Sequence, residues 1–196
     1  PAGTGNDFNM VLNKTEDITA ILEAMFKMNT HYIDYMNVSG RRCVNVASLG
    51  FDVDVLTRFN QYKKRIKGKI AYYLALARTI LNPQFRKARV ICDGNEFECG
   101  YALIAAGNGI CYGGGIPVTP NAVLDDEFID LCIIKKLKRH QLLPILLKFL
   151  HGDHVSSEHT IYRKCKSLVV LQEDGLEINT DGEIFNSDMF TCSIEG

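Results

Sequence analysis

The sequence predicts a β-rich α+β fold: an antiparallel β-sandwich with three or four inserted helices. Three observations carry this. Short alternating segments dominate the chain, including Tyr32–Val38, Arg42–Ser48 and Leu176–Thr180, and alternation with period two marks a half-buried strand. Tight-turn dipeptides separate them at Ser39-Gly40, Asp93-Gly94 and Asp181-Gly182, as hairpins require. No repeat, low-complexity tract or linker interrupts the 196 residues, and 46% of them are hydrophobic. One core of ordinary size is therefore within reach.

The elements follow in order. Gly3-Thr4-Gly5-Asn6-Asp7-Phe8 is a small-residue loop entering a helix, with Thr4 or Asn6 able to cap it. Free N–H groups at such a helix start can receive phosphate oxygens, and a plain N-cap accounts for the same residues. The segment has neither the lysine of a Walker A loop nor the glycine spacing of a dinucleotide fingerprint. Glycine-rich segments of this kind normally follow a strand, so the chain reads as missing an N-terminal portion. Ile18, Ile21, Leu22, Met25 and Phe26 recur at helical spacing. A hairpin is expected over 31–48, then a helix at about 52–61 and another at about 66–81, stopped by Pro83. Strands follow at 86–93 and 96–106. Five glycines stand in the nine residues from Gly107 to Gly115, where the backbone must bend sharply or approach something closely. A strand at 131–135 precedes a helix at about 140–151, apolar over a wide arc, with Pro144 expected in its first turn. That helix suits core burial or the wall of a lipid cleft. Strands at 157–165, 167–173, 175–180 and 189–194 complete the chain.

Charge is segregated. The net charge is −1, yet the stretch between Val55 and Cys92 holds ten basic residues and no acid. They are Arg58, Lys63, Lys64, Arg65, Lys67, Lys69, Arg78, Arg86, Lys87 and Arg89. Such a stretch suits phosphate or an anionic membrane surface, and equally an ordinary solvated helix face. The overall balance gives no sign of a nucleic-acid partner. Seven cysteines without a CxxC fit reduced, buried thiols in a cytoplasmic protein. The five histidines show no metal-ligand spacing with them. No apolar run reaches the ~18 residues of a spanning helix.

Asp181-Gly182-Glu183 is the densest candidate for chemistry. Both carboxylates would project from a strand end, where one can accept a hydroxyl proton while the other binds a cation or orients it. A hairpin turn with a solvated glutamate also explains the tripeptide.

Six segments taken in order resemble the C-terminal part of the superfamily of soluble diacylglycerol kinases, sphingosine kinases and bacterial lipid kinases. They are Gly3–Phe8; Asn45 with Gly50-Phe51-Asp52; Gly68 with Ala71-Tyr72; the glycine loop around Asn108 and Gly113–Gly115; Asp125-Asp126 with Asp130; and Asp181-Gly182-Glu183. The resemblance runs from Pro1 to about Cys192. It implies that residues 1–196 form the substrate-side β-sandwich domain, with 1–28 as interdomain segment and helix. An N-terminal ATP-binding domain carrying a GGDGT loop would be its partner, and this chain has no such motif. The implied activity is ATP- and magnesium-dependent phosphorylation of a lipid hydroxyl, diacylglycerol to phosphatidic acid first. The alternatives are a non-catalytic lipid- or membrane-binding sandwich, and a kinase of a sphingoid base or other alcohol. The implied partners are a lipid substrate and an anionic membrane surface, met peripherally from the cytoplasm; a homodimer is compatible. Carried over by residue, Thr4 would touch ATP phosphate, with Gly3, Gly5 and Asn6 shaping that loop. Asp7 would join the catalytic magnesium and carboxylate network. Glu183 would be the base and Asp181 its partner. Asp126 would hold a structural magnesium with the carbonyls of Val123 and Phe128. Glu127 stands where that family usually has glycine.

Overall fold

The computed structural model describes residues 6–13, 15, 17–27, 30–66 and 69–196. Two helices, α1 (Asp7–Asn13) and α2 (Ile18–Phe26), precede the first strand. Asp17 caps α2 by accepting a hydrogen bond from the Thr19 N–H at 2.9 Å. Of the apolar residues at helical spacing in α2 only Ile21 is buried, and Phe26 is 84% exposed.

Nine strands form one antiparallel sheet: β1 (Tyr35–Val38), β2 (Arg41–Cys43), β3 (Val46–Gly50), β4 (Arg86–Cys92), β5 (Asn95–Gly107), β6 (Ile129–Lys135), β7 (Thr160–Cys165), β8 (Ser167–Thr180) and β9 (Glu183–Glu195). The sheet closes on itself because β5 and β8 are long and shared. Toward one end both pair with β3, Leu49 facing Ile104 on one side and Ile178 on the other. Toward the other end both pair with β4, Val90 facing Phe97 and Val170. The closed sheet has an inside, filled by Leu49, Val90, Ile104, Leu131, Ile178 and Phe190 among others. Strand β8 covers two expected strands, and its register shifts between Leu171 and Leu176. That irregularity lets one strand serve both halves.

Three α-helices are inserted: α3 (Phe51–Tyr62), α4 (Lys69–Leu81) and α5 (Arg139–His151), with a 3-10 turn at Asp153–Ser156. The expected strand over 157–165 therefore begins only at Thr160. Pro144 lies inside α5 rather than in its first turn, since the helix starts at Arg139. The hydrogen bond that Pro144 forfeits is outweighed by burial of Leu142, Ile145 and Phe149 against the outer face of β5 and β6. Gly152, at φ 79°, ends α5 in the left-handed conformation.

Gly50 turns β3 directly into α3. Its φ is 95°, and a Cβ there would overlap the Ala102 carbonyl oxygen. Only glycine allows both the dihedral and the approach. This junction throws Asp52 into the first turn of α3, facing the space between α3, α4, α5 and the sheet.

Candidate functional site

That space is a cavity of about 690 Å³. Its walls are apolar: Val55, Leu56, Leu76 and Ile80 from α3 and α4, Ile145 and Leu146 from α5, Ala102 and Leu103 from β5. Its polar lining is sparse and includes Asn45, Asp52, Asn179 and Asp181, with Asn6 and Asp7. An apolar chamber with a few convergent polar groups suits a ligand with a long hydrocarbon part and one polar end.

Asp52 is buried at 6% exposure. Its Oδ2 accepts hydrogen bonds from Ser48 Oγ and, at 3.1 Å, from Asn179 Nδ2. Its Oδ1 is buried with no hydrogen-bond partner. Desolvation pushes its pKa up, against the pull of the Ser48 and Asn179 bonds. The sequence reading included Asp52 in a motif and gave it no role. The available signal was Gly50-Phe51-Asp52 itself, a carboxylate in the first turn of a helix that opens on a glycine.

The β8–β9 hairpin turn places Asp181 at φ 49° and Gly182 at φ 95°, the primed geometry of a two-residue turn. The Asp181 carboxylate is committed to the β2–β3 crossing. It accepts the backbone N–H groups of Val44 at 2.8 Å, Asn45 at 3.1 Å and Val46 at 3.1 Å, and the Cys43 thiol at 3.3 Å. Glu183 opens β9, is exposed, and lines a second, polar cavity with Arg41, Arg42, Thr180 and Asp181. Asp181 therefore borders both cavities, and Glu183 only the polar one.

Asp7 stands in the first turn of α1 and reaches the glycine loop. Its oxygens accept the N–H of Gly114 at 3.0 and 3.1 Å and that of Gly115 at 2.5 Å. Gly114 and Gly115 have φ of 90° and 93°, which aims successive N–H groups at one anion. Asn6 precedes α1 at φ 52°. Gly3, Thr4 and Gly5 lie outside the described residues.

At the Asp125–Phe128 turn, where the resemblance implies a structural magnesium, the Asp126 carboxylate has protein partners. Asp126 Oδ1 accepts the Phe128 N–H at 3.1 Å, and its Oδ2 contacts the Lys164 ammonium. Val123 and Phe128 are exposed, and among the described residues no group of three or more His, Cys, Asp or Glu could hold a metal ion. Glu127 is left-handed at φ 59°. The position does demand the conformation that glycine adopts most readily.

The basic stretch is divided in space. Arg86 forms a bidentate pair with Asp54, at 2.6 and 3.1 Å. Arg89 pairs with Glu96, and Arg58 donates to Thr79. Lys63, Lys64 and Arg65 remain exposed at the corner between α3 and α4. No helix among the described residues is long and apolar enough to cross a membrane.

Comparison with known proteins decides the family. Residues 45–194 match the YegS C-terminal NAD kinase beta sandwich-like domain. The chain belongs to that family. Across 183 residues it is 28% identical to the diacylglycerol kinase of Staphylococcus aureus strain JH9, covering 93% of this chain and 58% of that protein. A solved structure from Bacillus anthracis str. Sterne, described as a candidate diacylglycerol kinase, superposes with a TM-score of 0.78 at 26% identity. That match covers all of this chain and 64% of the other. A second crystal structure from the same strain, named as a diacylglycerol kinase, gives a TM-score of 0.69 at 20% identity, over 99% of this chain and 61% of that one; it speaks to the fold alone. The chain thus spans less than two thirds of the length of these relatives. The matched region runs from β3 into β9 and contains α3, α4 and α5, and so most of the cavity's lining.

Proposed function

We propose that this chain is the substrate-side domain of a lipid kinase that transfers phosphate from ATP, with magnesium, to a lipid hydroxyl, diacylglycerol being the preferred acceptor. The observation that carries the reading is the cavity: an apolar chamber whose polar end is lined by Asp52, Asn179 and Asp181 and borders the polar cavity of Glu183. An acyl chain fills the first, and the hydroxyl emerges where the second begins. The names of the relatives support it.

In this reading Glu183 takes the proton from the lipid hydroxyl as its oxygen attacks the terminal phosphorus of the nucleotide, and the bond to the leaving ADP oxygen breaks. Arg41 and Arg42 stand beside Glu183 and offset developing charge. Asp181 acts as a positioning residue, since its oxygens fix the β2–β3 crossing under the site. Asp7 holds the glycine loop with three N–H contacts. A carboxylate has about four acceptor sites, so Asp7 keeps capacity toward magnesium carried by the nucleotide. That ion supplies charge neutralisation on the phosphates.

The test is kinase assay of the full-length protein that carries this chain, against diacylglycerol, a sphingoid base, ceramide and a short alcohol. Diacylglycerol should be preferred. Glu183→Gln should lower kcat by roughly 10²- to 10⁴-fold with an unchanged melting curve. Asp181→Ala should instead lower stability by about 1–3 kcal/mol, because it strands backbone donors. Lipid binding with no phosphate transfer to any acceptor would favour a non-catalytic lipid-binding domain.

A second base is available on one specific observation. Asp52 lines the cavity, and its buried Oδ1 has no hydrogen-bond partner. If Asp52 takes the proton, Asp52→Asn lowers kcat and Glu183→Gln leaves it.

The basic α3–α4 corner and the exposed apolar residues Tyr73, Leu74 and Leu81 of α4 and Leu143, Leu147 and Leu150 of α5 support peripheral contact with an anionic bilayer. They lie on the helices that wall the cavity.

A further inference from the structure

The residue set at the Asp125–Phe128 turn does not fit the structural magnesium that the family resemblance implies. We propose that the Lys164 ammonium is the resident cation of this site, so that a side chain of the chain itself replaces a divalent metal in pinning the turn.

Lys164 lies on β7, directly opposite Asp130 of β6 in the sheet register. Its Nζ contacts Asp126 Oδ2 and lies 3.7 Å from Asp130 Oδ2. Asp130 is fully buried, and that Oδ2 atom has no hydrogen-bond partner; its Oδ1 accepts the Tyr162 hydroxyl at 2.7 Å. One ammonium thus faces two carboxylates, one of them otherwise uncompensated. A magnesium ion beside Asp126 Oδ2 would meet that ammonium at contact range, and like charges at that range repel strongly. Magnesium also demands near-ideal octahedral oxygen ligation. Here Asp126 Oδ1 is turned to the Phe128 N–H and Oδ2 to the lysine.

The rest of the turn is built to the same plan. Glu127, where the resemblance places glycine, pairs with Lys166 at 3.0 Å, and the same ammonium stands 5.1 Å from the Phe128 ring centroid. Asp34 is buried, and its carboxylate accepts the Glu127 N–H at 2.7 Å. Its own carbonyl accepts the Asn108 side-chain amide at 2.7 Å. Asp34 thereby ties the turn to the start of the glycine loop by hydrogen bonds, and Lys164 and Lys166 hold the turn's carboxylates. Any magnesium requirement of the activity then belongs to the nucleotide.

The test is thermal melting of the purified protein in excess magnesium and in chelator. The wild type should melt at the same temperature in both. Lys164→Met should melt several degrees lower in chelator, with Lys164→Arg restoring the wild-type value. Added magnesium should recover part of the Lys164→Met loss through the freed carboxylates, and a Lys164→Met/Asp126→Asn variant should show no such recovery. Two results overturn the proposal. One is a magnesium-dependent rise in the wild type that Asp126→Asn abolishes. The other is Lys164→Met melting as the wild type does in chelator. A wild-type rise that survives Asp126→Asn places magnesium elsewhere and leaves the lysine as this site's cation. Should Lys164→Met fail to fold, the wild-type and Asp126→Asn comparison decides by itself.

Discussion

A carboxylate buried with one oxygen unpartnered, as Asp52 is, costs stability wherever it is ionised. Its folded-state pKa is raised by desolvation, so the folded protein binds this proton more tightly than the unfolded chain. Stability from this group is then present in acid and declines as pH rises from the unfolded aspartate pKa through the folded one. Asp52→Asn removes that dependence. The variant should exceed the wild type by about 1–3 kcal/mol at neutral pH, and the gap should close toward acid. Urea melts at several pH values would show it; a gap that is constant with pH would mean Asp52 is not the source. Lower turnover in the same variant would show that function retains the costly group. Asp181 presents the opposite case. Its oxygens are satisfied by the three N–H groups of Val44, Asn45 and Val46, so this carboxylate holds the β2–β3 crossing beside the candidate base.

At the scale of elements, the junction of β3 with α3 sets the cavity. Gly50 carries φ 95° and ψ −122°, and it packs under the Ala102 carbonyl of β5. Gly50→Ala must distort the dihedral or push β5 away, and β5 lies in the core. The expected cost is about 2–4 kcal/mol, combining left-handed strain with overpacking, read as a shift in the urea midpoint. If the variant melts within a degree of the wild type, the tight approach is not what fixes α3. The same substitution should weaken lipid binding, because Asp52, Val53 and Val55 follow within the first turns of α3. The β8–β9 hairpin is less demanding, since a Cβ on Gly182 would meet nothing within 4 Å.

For the whole molecule, the closed sheet encloses the larger core and the helices wall the cavity. Phe190, Ile104 and Leu131 fill the interior of the sheet. The faces of α4 and α5 away from the cavity keep Tyr73, Leu74, Leu143 and Leu147 in solvent. Such apolar ridges beside the exposed Lys63, Lys64 and Arg65 should meet anionic vesicles. Vesicle binding should weaken from 0.1 M to 1 M salt as the Debye length shrinks from ~10 Å to ~3 Å. A Lys63/Lys64/Arg65→Gln variant should lose most of the salt-sensitive part, by about 1 kcal/mol per charge that reaches the surface. Binding that is indifferent to both salt and the triple substitution would mark the corner as a solvated face.

Local alternation and turn chemistry made most strands legible from the residues. Asp93-Gly94 and Asp181-Gly182 form tight turns with φ of 47° and 79°, and 49° and 95°, because those dipeptides tolerate the left-handed region. The antiparallel sandwich class, the α3 and α4 segments and the clustering of acids near the hairpin were readable in the same way. Period and propensity are nearest-neighbour properties, and they stop at the end of each element. Closure of the sheet depends on β5 and β8 each bending to serve two partners, and nothing local to either strand states that. Pro144 inside α5 is a propensity overruled by burial. The site divides along the same line. The sequence leaves Asp52 without a role, and marks Asp126 as a metal ligand and Asp181 as the partner of a base. Only the tertiary structure buries the first at an apolar cavity, sets a lysine from β7 against the second and turns three backbone donors onto the third. A carboxylate's chemistry is fixed by its solvation and by the groups within a few ångströms, and Lys164 beside Asp126, Asn179 beside Asp52 and Cys43 beside Asp181 lie 38, 127 and 138 residues away in the chain.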